Sequence, residues 1–402
     1  MVQTKQDQNA NCPYVRKEKT MKKSKKRIVI LISVLLTLCI GFSGSALALD
    51  SSLTASVGSK YIMTEIVPQD AIDYAKENVA ESIYLQLFYD QHGVVSQQDL
   101  SKYELGTPYV IEYSSPDASK VYHFPVFSGN EVVFTYYVTK VIEEDSSCFY
   151  FGQIVPRDID QLNQISNTAA QAVQLNENLG TVTASRQVSS YTRTAGEGYS
   201  FVSKSPVNAA QRIPHAAYTI QPRRGSNLLH PTIVETQLND DVDSWCVGYT
   251  AAMAINYRKG VTSYRSTSVA NYNGIYYKGD FIPVSGAAAY ARHVGLSTPV
   301  VNREGDNQVA EVSSWVDQNL VVPSHWSLSG NSDASGHTMA IVGYTTGYLP
   351  DGSSSTYAYY IWDPYFSYTT ATQIAQDNTA MLCYHTSVNG KTFVMKGYSV
   401  YK

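Results

Sequence analysis

The sequence predicts an α+β fold in at least two units, and three observations carry that reading. The chain's 402 residues exceed what one compact core holds. Residues 49–180 show an N-terminal helical run followed by strand-like runs, whereas residues 230–402 are helical in their first half and strand-like in their second. Composition agrees: 32 Tyr and 25 Gly in a chain only 16% charged suit strands and turns rather than a coiled coil or a disordered tail.

The first 48 residues stand apart in charge. They hold nine of the 30 Lys/Arg and two of the 34 Asp/Glu, which leaves 21 basic against 32 acidic residues in the remainder. Lys22 to Arg27 form a basic stretch, Ile28 to Ile40 an apolar one, and Ala46-Leu47-Ala48 a small-x-small cleavage signal. Residues 1–48 therefore read as an export signal, with Met21 as a second candidate start. The apolar run is short for a membrane span, and Cys39 lacks the preceding small residue of a lipoprotein anchor, so no lasting anchor is expected. An acidic remainder without a basic cluster argues against a nucleic-acid partner.

In residues 49–180, Pro68-Gln69-Asp70 opens a helix running to about Leu87. Strands follow at Tyr109–Tyr113, Val121–Phe127, Val132–Ile142 and Cys148–Val155, with Ser128-Gly129-Asn130 as a hairpin turn. Ile159, Leu162, Ile165, Ala169 and Val173 then recur at helical spacing. Residues 181–229 are rich in Ser, Thr, Gly, Pro and Arg, and read as an exposed linker or activation segment, with Thr192–Gly198 and Pro222–Ser226 as its most open stretches. In residues 230–402 the strand-like runs are His337–Tyr344, Thr356–Asp363 and Thr392–Tyr401.

Five cysteines are present, and Cys12 and Cys39 fall in the export signal. Cys148, Cys246 and Cys383 are too few and too scattered for a disulfide scaffold. No paired-Cys zinc spacing and no His-Glu-x-x-His helix occurs, so neither metal nor cofactor is expected.

Chemistry concentrates around Cys246. Val247, Ala251, Ala254 and Ile255 mark one face of a helix that Arg258, Lys259 and Gly260 suit as its end. Asp243 or Ser244 is a ready N-cap, which places Cys246 in the first turn, where the helix dipole favours a thiolate. A buried structural thiol is the alternative that position alone leaves open. A thiolate nucleophile needs a His. His337, preceded by Gly336 and opening a strand, is the best placed; the other candidates are His92, His123, His215, His230, His293, His325 and His385. Asp363, at the end of Tyr-Tyr-Ile-Trp-Asp-Pro, can hold the imidazole, with Trp362 shielding that bond, although Asp-Pro also simply ends strands. Gln237 can donate to an oxyanion.

These strings resemble the staphopains, secreted papain-like cysteine peptidases. The resemblance rests on Glu235-Thr236-Gln237, Trp245-Cys246, Gly248-Tyr249-Thr250, Gly336-His337, Met339-Ala340, Val342-Gly343 and Ile361-Trp362 with Pro364, in the family's order over the last 170 residues or so. It implies a papain-like fold, a helical half packed on an antiparallel sheet or barrel half, preceded by an α+β pro-domain at 49–180. It implies a secreted, monomeric endopeptidase acting on proteins or peptides, made as a preproenzyme and inhibited by its own pro-domain. A dedicated protein inhibitor is known for the family. By the same resemblance Gln237 is the oxyanion donor, Cys246 the nucleophile and His337 the acid/base.

Three departures stand out. Cys246 and His337 are 91 positions apart, against ~130–150 in plant-type papains. Two extra residues separate Gln237 from Trp245-Cys246. The family's Asn is replaced by Asp363. Alternative readings are a papain-fold acyltransferase or transglutaminase, and a non-catalytic exported binding protein.

Overall fold

The computed structural model describes residues 62–63, 67–106, 108–113, 120–142, 148–155, 172–176, 181–185, 199–201, 205–206, 212–220, 226–240, 242, 244–304, 308–328, 336–348, 354–375, 381–386 and 391–402. The export signal and the open stretch Thr192–Gly198 lie outside them. No helix among the described residues is long and apolar enough to cross a membrane.

The N-terminal unit opens with β1 (Ile62–Met63) and a long helix α1 (Gln69–Asp90), then α2 (Gln97–Leu100). Ser96 caps α2 in a reciprocal box with Asp99. The strands are β2 (Tyr103–Gly106), β3 (Tyr109–Tyr113), β4 (Val121–Ser128), β5 (Glu131–Ile142), β6 (Cys148–Val155), β7 (Ala172–Asn176), β8 (Thr181–Ser185), β9 (Tyr199–Phe201), β10 (Ser205–Pro206) and β11 (Arg212–Ile213). The helix and four strands expected for residues 49–155 are all present. Gly129 turns the β4–β5 hairpin at φ 62°, a left-handed conformation that glycine adopts without steric cost.

Two expectations fall. Val173 stands in a strand, β7, so the helical spacing counted to it does not describe a helix at that position; residues 156–171 are outside the described set. Residues 181–229 are not without regular structure either. They supply β8 to β11, which pair with β7, β3, β1 and β2 of the N-terminal unit, and β12 (Ser226–Leu228), which pairs with β15 below. Short polar strands of two to five residues carry too few side chains for an alternation to show.

The C-terminal unit continues with α3 (Gln237–Asp240), α4 (Cys246–Lys259), α5 (Ser266–Tyr272), α6 (Val284–His293), β13 (Val300–Glu304) and α7 (Gln308–Val316). Six long strands follow: β14 (Val322–Leu328), β15 (His337–Tyr348), β16 (Ser354–Trp362), β17 (Thr369–Ala375), β18 (Met381–Thr386) and β19 (Lys391–Val400). Their order is β15-β14-β19-β18-β17-β16, and β16 pairs again with β15, so the sheet closes into an antiparallel barrel. The whole is α+β, as expected, and within the C-terminal unit the helices precede the long strands.

Helix α4 packs against β14 and β15 on one side and α5 and α6 on the other. Ten of its residues are buried, so it is a central helix rather than the one-sided amphipathic helix that the spacing suggests. Alanines at 251, 252 and 254 make that close approach possible. The helix ends at Gly260 in a left-handed conformation, φ 64°, as its sequence implies. The two units share one apolar core that runs from α1 through the barrel.

Candidate active site

The local fold brings three distant residues together. Cys246 is the first residue of α4. The cap before it is Trp245, with no side-chain cap hydrogen bond, so neither Asp243 nor Ser244 plays the expected N-cap role. The free N–H groups of that first turn are therefore not consumed by a capping side chain. His337 opens β15, and Asp363 follows the last residue of β16. These strands are antiparallel, with Ala340 opposite Trp362, so the turn after β16 lies beside the start of β15. Gly336 lets the chain enter this corner: a Cβ there would lie 2.6 Å from the Trp326 carbonyl oxygen.

His337 Nε2 and Asp363 Oδ1 are 2.9 Å apart, both residues buried. That bond leaves Nδ1 free of Asp363, and the imidazole acts on the Cys246 thiol closely enough to lower it. Asp363 Oδ1 also accepts the Tyr365 N–H at 3.1 Å, whereas Oδ2 has no partner among the described residues. The Tyr365 ring stacks on the imidazole with centroids 5.4 Å apart, and Phe393 flanks it at 5.6 Å. Trp362 is buried beside the pair and donates through Nε1 to the Phe366 carbonyl at 2.7 Å.

Electrostatics match the geometry. Burial pushes the Cys246 thiol up, but His337 and the backbone N–H groups of Thr338 and Val247 outweigh it, and the thiol sits below its ordinary value. Burial likewise opposes a charge on His337. The Asp363 carboxylate, its hydrogen bond and the Cys246 sulfur override that, and the imidazole is pushed up to about 10. A lowered thiol beside a raised imidazole favours a thiolate against an imidazolium, the ion pair that an activated nucleophile requires.

Gln237 is also in this corner. It begins α3, its backbone N–H donates to the Pro364 carbonyl at 2.8 Å, and its buried side-chain amide donates to Val242 O at 3.0 Å. A carboxamide has two N–H bonds, so one is not taken up by Val242, and Oε1 has no partner among the described residues. Gln237→Ala is expected to lower turnover by ~10²-fold while Cys246 alkylates as before; an equal fall in alkylation would reveal a structural role instead.

The remaining histidines with described side chains are engaged elsewhere. His325 is buried against Ser399, 2.9 Å away, and burial pushes it down to about 4. His215 meets the Tyr103 carbonyl, and His92 meets His230. Cys383 and His385 share β18, but their side chains are outside the described set, as is that of Cys148. Among the described residues no cluster could hold a metal ion. Sequence reasoning missed Tyr365, Phe393 and the Thr338 N–H. Tyr365 was within reach, two residues past Asp363; Phe393 carries no signal in its own neighbourhood. No protein-family model matches this chain, and no curated protein matches it, so the site stands on its own geometry.

Proposed function

We propose that this chain is an exported cysteine endopeptidase of papain-like fold, made as a zymogen. The observation that carries the reading is the buried His337 imidazole, held by Asp363 through Nε2 and coupled to the Cys246 thiol. A central helix that begins with the thiol, packed on a closed barrel that supplies His and Asp, supports the papain-like architecture.

The chemistry runs in two halves. The Cys246 thiolate attacks the peptide carbonyl carbon, and the oxyanion takes hydrogen bonds from the Cys246 N–H and Gln237. His337 gives its proton to the departing amine as the C–N bond breaks, leaving a thioester. Water, deprotonated by the same imidazole, attacks the thioester, and the sulfur leaves as thiolate. Asp363 stays ionised and holds the ring.

A closed starting state fits the uncut chain, in which Cys246 and His337 are 8% and 7% exposed. Residues 221–225, with Arg223-Arg224, lie in the segment 214–225 between β11 of one unit and β12 of the other and are the natural place to cut. A specific protease site placed there, followed by incubation with casein under reducing conditions, tests the proposal. Hydrolysis is expected to rise on cutting and to be absent in Cys246→Ala. Amine incorporation without cleavage would assign acyl transfer instead, and a thiol that neither cleaves nor labels would overturn the enzyme reading.

A further inference from the structure

The turn that carries Asp363 has two sides, and the chemistry above uses one. Its front holds the imidazole through Asp363 and Tyr365. Its back is held by the N-terminal unit. Gln86 of α1 is 1% exposed, and its carboxamide lies flat along β17, 283 positions later. Nε2 donates to the Thr369 carbonyl at 3.0 Å and Oε1 accepts the Ala371 N–H at 3.1 Å. β17 pairs with β16 over Thr369–Gln373, but with β18 only from Ile374 on. At Thr369 and Ala371 the Gln86 amide therefore fills the place of a missing strand, making the two bonds that strand's peptide would make.

A second contact reaches closer to the site. Tyr368 packs with Val121, Tyr137 and Val155 of β4, β5 and β6. Its ring stacks on Phe366, centroids 5.0 Å apart. The Phe366 N–H donates to the Asp363 carbonyl at 2.9 Å, and its own carbonyl accepts from Trp362. Val394, next to the Phe393 that flanks His337, packs with Val141 and Phe151 in the same way. The Asp363 carboxylate is anchored by Oδ1 alone, since Oδ2 has no partner among the described residues. Its direction therefore depends on the turn, and the turn depends on what presses on its back. A unit that served only to cover the thiol would have no need of these contacts.

We propose that the N-terminal unit is a positioning element of the site, with Gln86 and Tyr368 as positioning residues, and that it stays docked on the barrel after residues 221–225 are cut. The inference rests on Cys246, His337 and Asp363 being the catalytic set. It makes the unit a permanent part of the working enzyme. A displacement of about 1 Å in such a turn is enough to cost ~10² in rate.

The test uses the full chain, cut at 221–225, and follows alkylation of Cys246 by iodoacetamide from pH 4 to pH 10. The charged groups acting on His337 are Asp363 and Cys246; Tyr365 and Phe393 are the rings against it, and His325, on the neighbouring strand, is held neutral by its burial. Gln86→Leu keeps the bulk and removes both bonds to β17, along with the Nε2 bond to Asp90 of its own helix at 3.1 Å; Tyr368→Leu removes the stack. Both are expected to move the acid limb of alkylation up by about one pH unit, and so to slow labelling by about tenfold at pH values below the parent's limb, with little change on its plateau. Folded variants whose limb superimposes on the parent's would overturn the proposal. Gel filtration of the cut chain gives an answer independent of any variant: casein hydrolysis should elute with both pieces together, and hydrolysis by the C-terminal piece alone would overturn it. A parent that shows no acid limb would overturn the catalytic set itself, and this inference with it.

Discussion

Cys246→Ala is expected to abolish casein hydrolysis, a loss on the order of 10⁶ in turnover, and His337→Ala to lose nearly as much. The two are not additive, because the imidazole's work is to keep the sulfur ionised and to return its proton to the leaving amine. Without sulfur there is nothing for it to activate. The double variant should therefore be no slower than Cys246→Ala. Folding is expected to survive both changes: the Ala methyl fits the space of the thiol, and His337 at the end of β15 takes no part in closing the barrel beyond its pairing with Trp326. Kinetics with casein and far-UV circular dichroism check the two statements together. Residual hydrolysis within tenfold of the parent in Cys246→Ala would remove this residue from the mechanism.

Asp363→Asn separates charge from orientation. The amide oxygen still accepts from His337 Nε2, so the ring keeps its place, but the negative charge is gone. With the carboxylate present His337 keeps its proton up to about 10, so the alkaline limb of activity lies there. The limb marks loss of the imidazolium, and a raised pKa moves it up; the amide variant should bring it back toward neutral pH. At pH 6 both forms hold the proton and turnover changes little. At pH 9 the variant should be at least tenfold slower, since the protonated fraction falls about tenfold for every pH unit above the pKa. A profile whose alkaline limb does not move would show that Asp363 does not act on His337 through its charge.

What was legible in the sequence follows from how local each signal is. α1, the strands β3 to β6 and the barrel strands β15, β16 and β19 announce themselves because each is long enough for its own period to show. The Gly260 end of α4 is a backbone requirement that only its own residue can meet. Cys246, His337 and Asp363 were readable as types in characteristic strings, and the antiparallel β15–β16 register then places the last two side by side. Other features depend on partners far along the chain. β8 to β11 exist because the N-terminal sheet offers them edges, not because their polar sequences favour strands. The cap of α4 is Trp245 rather than Asp243 or Ser244, a choice set by how the chain enters the helix rather than by residue type. Gln86 looks like any solvated Gln on a helix; its function as a strand substitute is visible only once β17 is beside it.

Whether Cys246 and His337 form a working ion pair is decided by the pH dependence of Cys246 alkylation in the cut chain, compared with that of His337→Ala. Both profiles read the thiolate without needing a substrate. The ion pair requires rapid labelling at pH 6, below the range near 8.5 where an ordinary thiol ionises, and loss of that early limb in His337→Ala. A single limb near 8.5, the same with and without the imidazole, would contradict it.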